Sequence, residues 1–167
     1  LALAGCSNGG DAAGTKSGSA DAYNIGISQL VQHPALDAAT EGFQKAFADA
    51  GVEANFDVQN ANGEQATAVT IAQTFASQDL DLVLAVATPA AQAAAQAITN
   101  VPVLFTAVTD AVAAELVDSN EKPGANITGT SDMAPIDAQL ELLKEIVPDA
   151  KKVGIVYASG EVNSEVQ

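Results

Sequence analysis

Residues 81–98, DLVLAVATPAAQAAAQAI, decide the fold class of this chain. Residues 81–87 hold a short apolar run of the length expected for a buried strand. An alanine-rich helix follows, and Thr88-Pro89 marks its start, because threonine suits the N-cap and proline suits the first helical position. A buried strand that leads directly into a helix is the repeating unit of a parallel α/β sheet.

The same alternation of strand and helix patterns continues in both directions from this unit. Strands are predicted at 23–27, 52–58, 81–87, 101–108, 125–130 and 152–157, and helices at 34–50, 64–77, 88–98, 111–117, 135–147 and 163–167. Gly51 is the predicted C-terminal cap of the helix at 34–50. The pattern predicts a Rossmann-like parallel sheet with right-handed crossovers and helices on both faces. Ligands of such sheets bind where the strands end, here at residues 28–34, 87–90, 106–111 and 130–135.

Composition excludes several classes of function. The 167 residues include 21 acidic and 6 basic side chains, for a net charge of −15. This charge argues against a nucleic-acid partner and against electrostatic docking on anionic lipid. One His rules out a multi-His metal site, and the loops show no glycine-rich phosphate motif and no nucleophile elbow. We therefore expect no metal, no cofactor and no enzymatic activity.

The N-terminus predicts an address outside the cytoplasm. Leu3-Ala4-Gly5-Cys6 resembles a bacterial lipobox, in which the cysteine is lipidated. Residues 1–6 are accordingly interpreted as the tail of a signal peptide, inside which the chain begins. Residues 7–21, rich in Gly, Ser, Ala and Asp, are interpreted as a flexible linker. Cys6 would place the protein at the outer face of the cell membrane; the alternative is a small, buried apolar residue.

The strand ends carry candidate groups for a zwitterionic ligand. Thr88 and Pro89 open a helix, whose free N–H groups and positive dipole end suit a carboxylate; the alternative is that Thr88 only caps its helix. Asp110 and Asp132 each follow a predicted strand. Either one could pair with an ammonium group, or could be a helix cap or a solvated loop acid.

Further polar residues adjoin the same loops. Gln29 offers both a donor and an acceptor, and His33 is either a neutral ligand donor or a residue that orients the helix starting at Pro34. Glu161 and Asn163 follow the last predicted strand, where they either face a ligand or cap the next helix.

Five segments occur in the order and spacing of one bacterial family. They are QLVQHPALD at 29–37, ATPAA at 87–91, PVLF at 102–105, PGANITGTSD at 123–132 and KVGIVY at 152–157. On these segments the chain resembles the ABC-transporter substrate-binding proteins of the tryptophan/tyrosine-uptake type. Three positions depart from the usual pattern of that family: Gln32 replaces Glu, Ala111 replaces Pro and Ala158 replaces Asn. These departures bear on the ligand more than on the fold.

The resemblance implies a two-lobed periplasmic-binding-protein fold of type I, with the ligand in the cleft between the lobes. Residues 22–131 would form the first lobe, and residues 132–167 would hold the hinge crossing and the start of a truncated second lobe. The implied function is lipid-anchored solute binding for an ABC importer and its permease, with a monomeric protein and an amino acid, possibly aromatic, as ligand. Other amino acids, short peptides and sugars stay open. The implied site residues are Gln29, His33, Thr88, Pro89, Asp110, Ser131, Asp132, Glu161, Asn163 and Ser164.

Two other classes of function are alternatives: a regulator domain with the same fold, and a cell-surface enzyme on a flavodoxin-like α/β sheet. A ligand-sensing domain of a transcription regulator would need a basic helix-turn-helix upstream, and residues 1–22 contain none. A cell-surface α/β enzyme would need a positioned nucleophile or a metal cluster, and the predicted loops show neither.

Overall fold

The computed structural model describes residues 22–166. The predicted lipobox with Cys6 and the predicted linker at 7–21 lie outside these residues. Within them, no helix combines the length and hydrophobicity that crossing a membrane requires.

A five-stranded, fully parallel sheet organises the chain, in the order β2-β1-β3-β4-β5. Its strands are β1 (Tyr23–Gln29), β2 (Ala54–Asn60), β3 (Leu82–Val86), β4 (Val103–Val108) and β5 (Ile127–Ser131). The helices are α1 (Pro34–Asp49), α2 (Gln65–Ala76), α3 (Thr88–Ala97), α4 (Ile136–Ile146) and α5 (Val162–Glu165). The predicted fold class is confirmed, since the sheet is parallel and carries helices on both faces.

The two faces of the sheet are covered by different helices. Alternation along β1 turns Ile25 and Ile27 toward the aromatic residues of α1. Gly26 faces the other side, where an added Cβ would meet Phe75 of α2 and Leu80. On that side α3 presents a row of fully buried alanines, whose small side chains let the helix approach the sheet closely.

The end of α1 follows the predicted glycine cap. Gly51 has φ +66°, its N–H donates to Ala48 O at 3.1 Å, and the N–H of Val52 donates to Phe47 O at 2.9 Å. These two bonds form a Schellman motif, which satisfies carbonyl groups at the end of the helix. The prediction for Gly51 is confirmed.

Two predicted elements are wrong. Residues 111–115 form turns instead of the predicted helix at 111–117, and Glu115 has φ +58°, a conformation that cannot continue an α-helix. Residues 152–157 form no strand. Val156 is fully exposed there, because no strand among residues 22–166 lies beside this segment to pair with it.

Candidate ligand-binding site

The carboxyl ends of β1, β3, β4 and β5 follow one another along one edge of the sheet. The N–H of Leu30 donates to Val86 O, and Ser131 Oγ donates to Thr109 O at 2.7 Å, so the connecting loops are held side by side. Two non-glycine residues at this edge have positive φ, Ala87 at 84° and Ala107 at 55°. A positive φ strains the backbone of a residue other than glycine, and residues strained in this way cluster at functional sites.

Thr88 is the first residue of α3 and does not cap it. The cap position belongs to Ala87, and no side chain bonds the first turn, so the predicted capping role of Thr88 is wrong. Thr88 lies one residue after the cap position and is 2% exposed, and its hydroxyl bonds none of the N–H groups of the first turn. Within residues 22–166 Thr88 Oγ1 has no hydrogen-bond partner.

The start of α3 can receive an anion. Pro89 is buried and has no N–H, while the N–H of Ala91 donates to Ala87 O at 3.0 Å. The N–H groups of Thr88 and Ala90 lie in the first turn, where an α-helix offers them no acceptor. These N–H groups, the helix dipole and the Thr88 hydroxyl together suit a carboxylate.

Gln29 is a buried anchor for the start of α1. Its Nε2 donates to Val31 O at 2.9 Å and to Asp37 Oδ1 at 2.6 Å, and its Oε1 accepts from Thr40 Oγ1 at 2.7 Å. Both amide hydrogens are therefore used within the chain, and one lone pair of Oε1 is left. The prediction that Gln29 contacts a ligand stays a prediction.

His33 is the N-cap of α1, which agrees with the interpretation that it orients the helix. Its Nδ1 accepts from the N–H of Ala35 at 3.2 Å, and the side chain is exposed. This bond requires an unprotonated Nδ1, which leaves Nε2 at the surface as the remaining polar group.

The two candidate aspartates differ in how they are engaged. Asp110 Oδ1 accepts from the N–H groups of Val112 and Ala113, both at 3.0 Å, so Asp110 caps the turns that follow β4. Asp132 is exposed, and its backbone N–H donates to Val108 O at 3.1 Å. Ser131 is the last residue of β5, and its Oγ also accepts from the N–H of Met133.

The residues around α5 lie against the first turn of α2. Gln65 Nε2 donates to Gly160 O at 3.4 Å, and Val162 packs against the core that contains α3. Asn163 Nδ2 donates weakly to Glu161 Oε2 at 3.4 Å, while Asn163 Oδ1 is buried without a partner among the described residues. The N–H of Ser164 donates to Glu161 O.

Sequence reasoning missed one buried polar group and a groove. Ser28, 1% exposed, has a hydroxyl with no partner within the described part of the chain; a serine that interrupts an apolar strand is the signal that could have found it. A groove of about 440 Å³ at the ends of β1 and β2 is lined by Gln29, Gln32, Asp37, Thr40, Glu41, Val58, Asn60 and Asn62.

Residues 22–166 contain no group of three or more His, Cys, Asp or Glu side chains placed to hold a metal ion.

Comparisons with known proteins identify the family of this chain. The family model for the ABC transporter substrate binding protein matches residues 24–167. A tyrosine-binding protein of Clostridioides difficile (strain R20291) is 48% identical over 99% of this chain and 50% of its own length. The chain therefore spans about half the length of that relative. The family description and the relative's name are those of binding proteins.

Solved structures share the fold at substantial identity. An ABC domain from Streptococcus pneumoniae in complex with L-Trp has a TM-score of 0.84 and 38% identity, over 87% of this chain and 50% of that one. The ligand-free, open structure of a substrate-binding protein with adhesive properties from Clostridium difficile has a TM-score of 0.72 and 50% identity, with the same coverage. The described residues thus have the fold of a periplasmic-binding-protein lobe, and the chain belongs to the ABC transporter substrate binding protein family.

Proposed function

We propose that this chain is part of an extracytoplasmic solute-binding protein that delivers an aromatic amino acid, tyrosine or tryptophan, to an ABC importer. The ligand would bind at the carboxyl edge of the sheet, with its carboxylate at the start of α3. Binding would favour a closed arrangement of two lobes, which the permease would then accept.

The buried hydroxyl of Thr88 carries this proposal. An unpaired buried hydroxyl costs free energy, and native proteins leave few such groups without a partner. Thr88 Oγ1 lies at the start of a ten-residue helix, next to the strained Ala87. A ligand carboxylate would accept a charge-assisted bond from this hydroxyl and further bonds from the N–H groups of the first turn.

The aromatic specificity rests on the relatives. One is named for tyrosine, and a solved structure at 38% identity is a complex with L-Trp. The ammonium group of such a ligand would pair with Asp110 or Asp132, which follow neighbouring strands on the same edge. Comparing Asp110→Asn with Asp132→Asn would identify the partner, because the substitution that removes the paired charge should weaken binding more.

The lobe organisation and the anchor are parts of the same proposal. Residues 22–131 would form the first lobe, and residues 132–167 the hinge crossing and the start of the second. Glu161, Asn163 and Ser164 would reach the ligand from the second lobe. Gln29 and His33 would lie at the cleft rim, and Ser131 would lie near the hinge. Cys6 would carry the lipid, and a Cys6→Ala variant that still takes up labelled palmitate would contradict that assignment.

Calorimetric titration of the full-length protein tests the proposal. We expect L-Trp or L-Tyr to bind and to raise the unfolding temperature by mass action. Tryptamine, which lacks the carboxylate, should bind far more weakly. Equal binding of L-Trp and tryptamine would contradict the assignment of the carboxylate to α3.

A further inference from the structure

We propose that Ser28 belongs to the ligand site as a positioning residue, whose hydroxyl bonds a buried water molecule beneath the ligand carboxylate. This inference rests on the proposed function and adds a residue to it. Three buried side-chain polar atoms in the described part of the chain lack a partner, and they belong to Ser28, Thr88 and Asn163. Two of these residues were already candidates for ligand contact on independent grounds.

The alternation of β1 turns Ser28 toward the face of the sheet that α3 covers. Ile27 packs on the α1 side, so the next residue points to the opposite face. Gly26 confirms the direction, because an added Cβ there would meet Phe75 of α2. Ser28 pairs in register with Ala85, which belongs to the same core cluster as the alanines of α3.

Ser28 therefore lies beside β3, the strand that leads into Thr88, and its pair with Ala85 immediately precedes the last residue pair of the two strands. Its pair Ala85 is three residues before Thr88, and Gln29, the last residue of β1, pairs with Val86. The core on this face is rich in alanine, whose side chains offer no hydrogen bond. A buried water typically bonds about three polar groups. The hydroxyls of Ser28 and Thr88 and the ligand carboxylate would supply that number.

The structure makes a distinctive prediction for Ser28→Ala. Within residues 22–166 the substitution removes no hydrogen bond, so the unfolding temperature of the ligand-free protein should stay unchanged or rise. With L-Trp, loss of the water-mediated bond should raise Kd roughly 3- to 10-fold. A purely structural serine would give the reverse pattern, with a lower unfolding temperature and an unchanged Kd.

The experiment is titration of L-Trp into full-length wild-type, Ser28→Ala, Ser28→Thr and Ser28→Val proteins, with thermal unfolding of each ligand-free protein. Threonine and valine have the same shape, so any cost of the added methyl group is common to both, and only threonine keeps the hydroxyl. Tighter binding by Ser28→Thr than by Ser28→Val, at equal ligand-free stability, supports the inference. If wild type binds L-Trp and all three variants match it, Ser28 has no role in binding and the proposed function stands. If wild type binds neither L-Trp nor L-Tyr, the proposed function itself fails and this inference falls with it.

Discussion

Replacing Thr88 by valine should separate ligand binding from stability. The substitution keeps the shape of the side chain and removes a hydroxyl that is 2% exposed and bonds nothing among residues 22–166. Without ligand, removal of an unsatisfied buried hydroxyl should leave the free energy of unfolding unchanged or raise it by about 1 kcal/mol. With ligand, a bond from a hydroxyl to a carboxylate contributes about 1.5–3 kcal/mol, so Kd should rise roughly 10- to 100-fold.

Calorimetry with L-Trp and L-Tyr and thermal unfolding of the ligand-free protein measure the two effects. Thr74→Val is the matched control, because Thr74 is exposed on α2 and, among the described residues, its hydroxyl bonds Thr70 O alone, at 2.9 Å. It should leave Kd unchanged. A Thr88→Val protein that is less stable than wild type but binds both amino acids within twofold of it would refute the reasoning, since the hydroxyl would then have an internal structural partner.

Three further substitutions test the frame of the site by chemical denaturation and titration. Gln29→Ala leaves the buried Thr40 hydroxyl without its acceptor and should lower the free energy of unfolding by about 2–3 kcal/mol; an unchanged midpoint would show that this network does not hold α1. Asp110→Ala removes the acceptor of two backbone N–H groups and should lower the free energy of unfolding by about 1 kcal/mol. The same substitution should also weaken ligand affinity if Asp110 pairs with the ligand ammonium, and should leave affinity unchanged if it does not. Gly129→Ala would force a Cβ onto the carbonyl oxygen of Phe105 in β4 and should cost about 2 kcal/mol or more; wild-type stability would mean that β5 can shift freely.

The five strands and the helices that cover them could be predicted because each pattern is local. The apolar run at residues 82–86 is short and buried from Val83 to Val86, and Gly51 marks the end of α1 by its freedom at positive φ. The segment at 111–117 begins as a helix would, because Asp110 accepts from the N–H groups of Val112 and Ala113 as an N-cap does. It ends within about one turn because Glu115 has positive φ, and residue composition does not reveal that conformation. Residues 152–157 have the composition of a strand, but a strand also needs a neighbour, which composition does not report.

The position of the candidate residues at one edge of the sheet could be predicted from the sequence, but their contacts could not. The rule that ligands bind at the carboxyl ends of parallel strands brought Thr88 and Asp110 to one edge. Whether each side chain is free to bind depends on contacts that only the fold reveals. Gln29 and Asp110 bond groups of their own chain, whereas Thr88 Oγ1 has no partner among residues 22–166. Ser28 could not be predicted, because a single serine in a strand forms no motif.

A crystal structure of the full-length protein with L-Trp or L-Tyr bound tests the central claim most directly. We predict a ligand carboxylate oxygen within about 2.7–3.0 Å of Thr88 Oγ1, at the N-terminal end of α3. A ligand whose carboxylate lies away from α3, with Thr88 Oγ1 still unpaired, would contradict the proposed site.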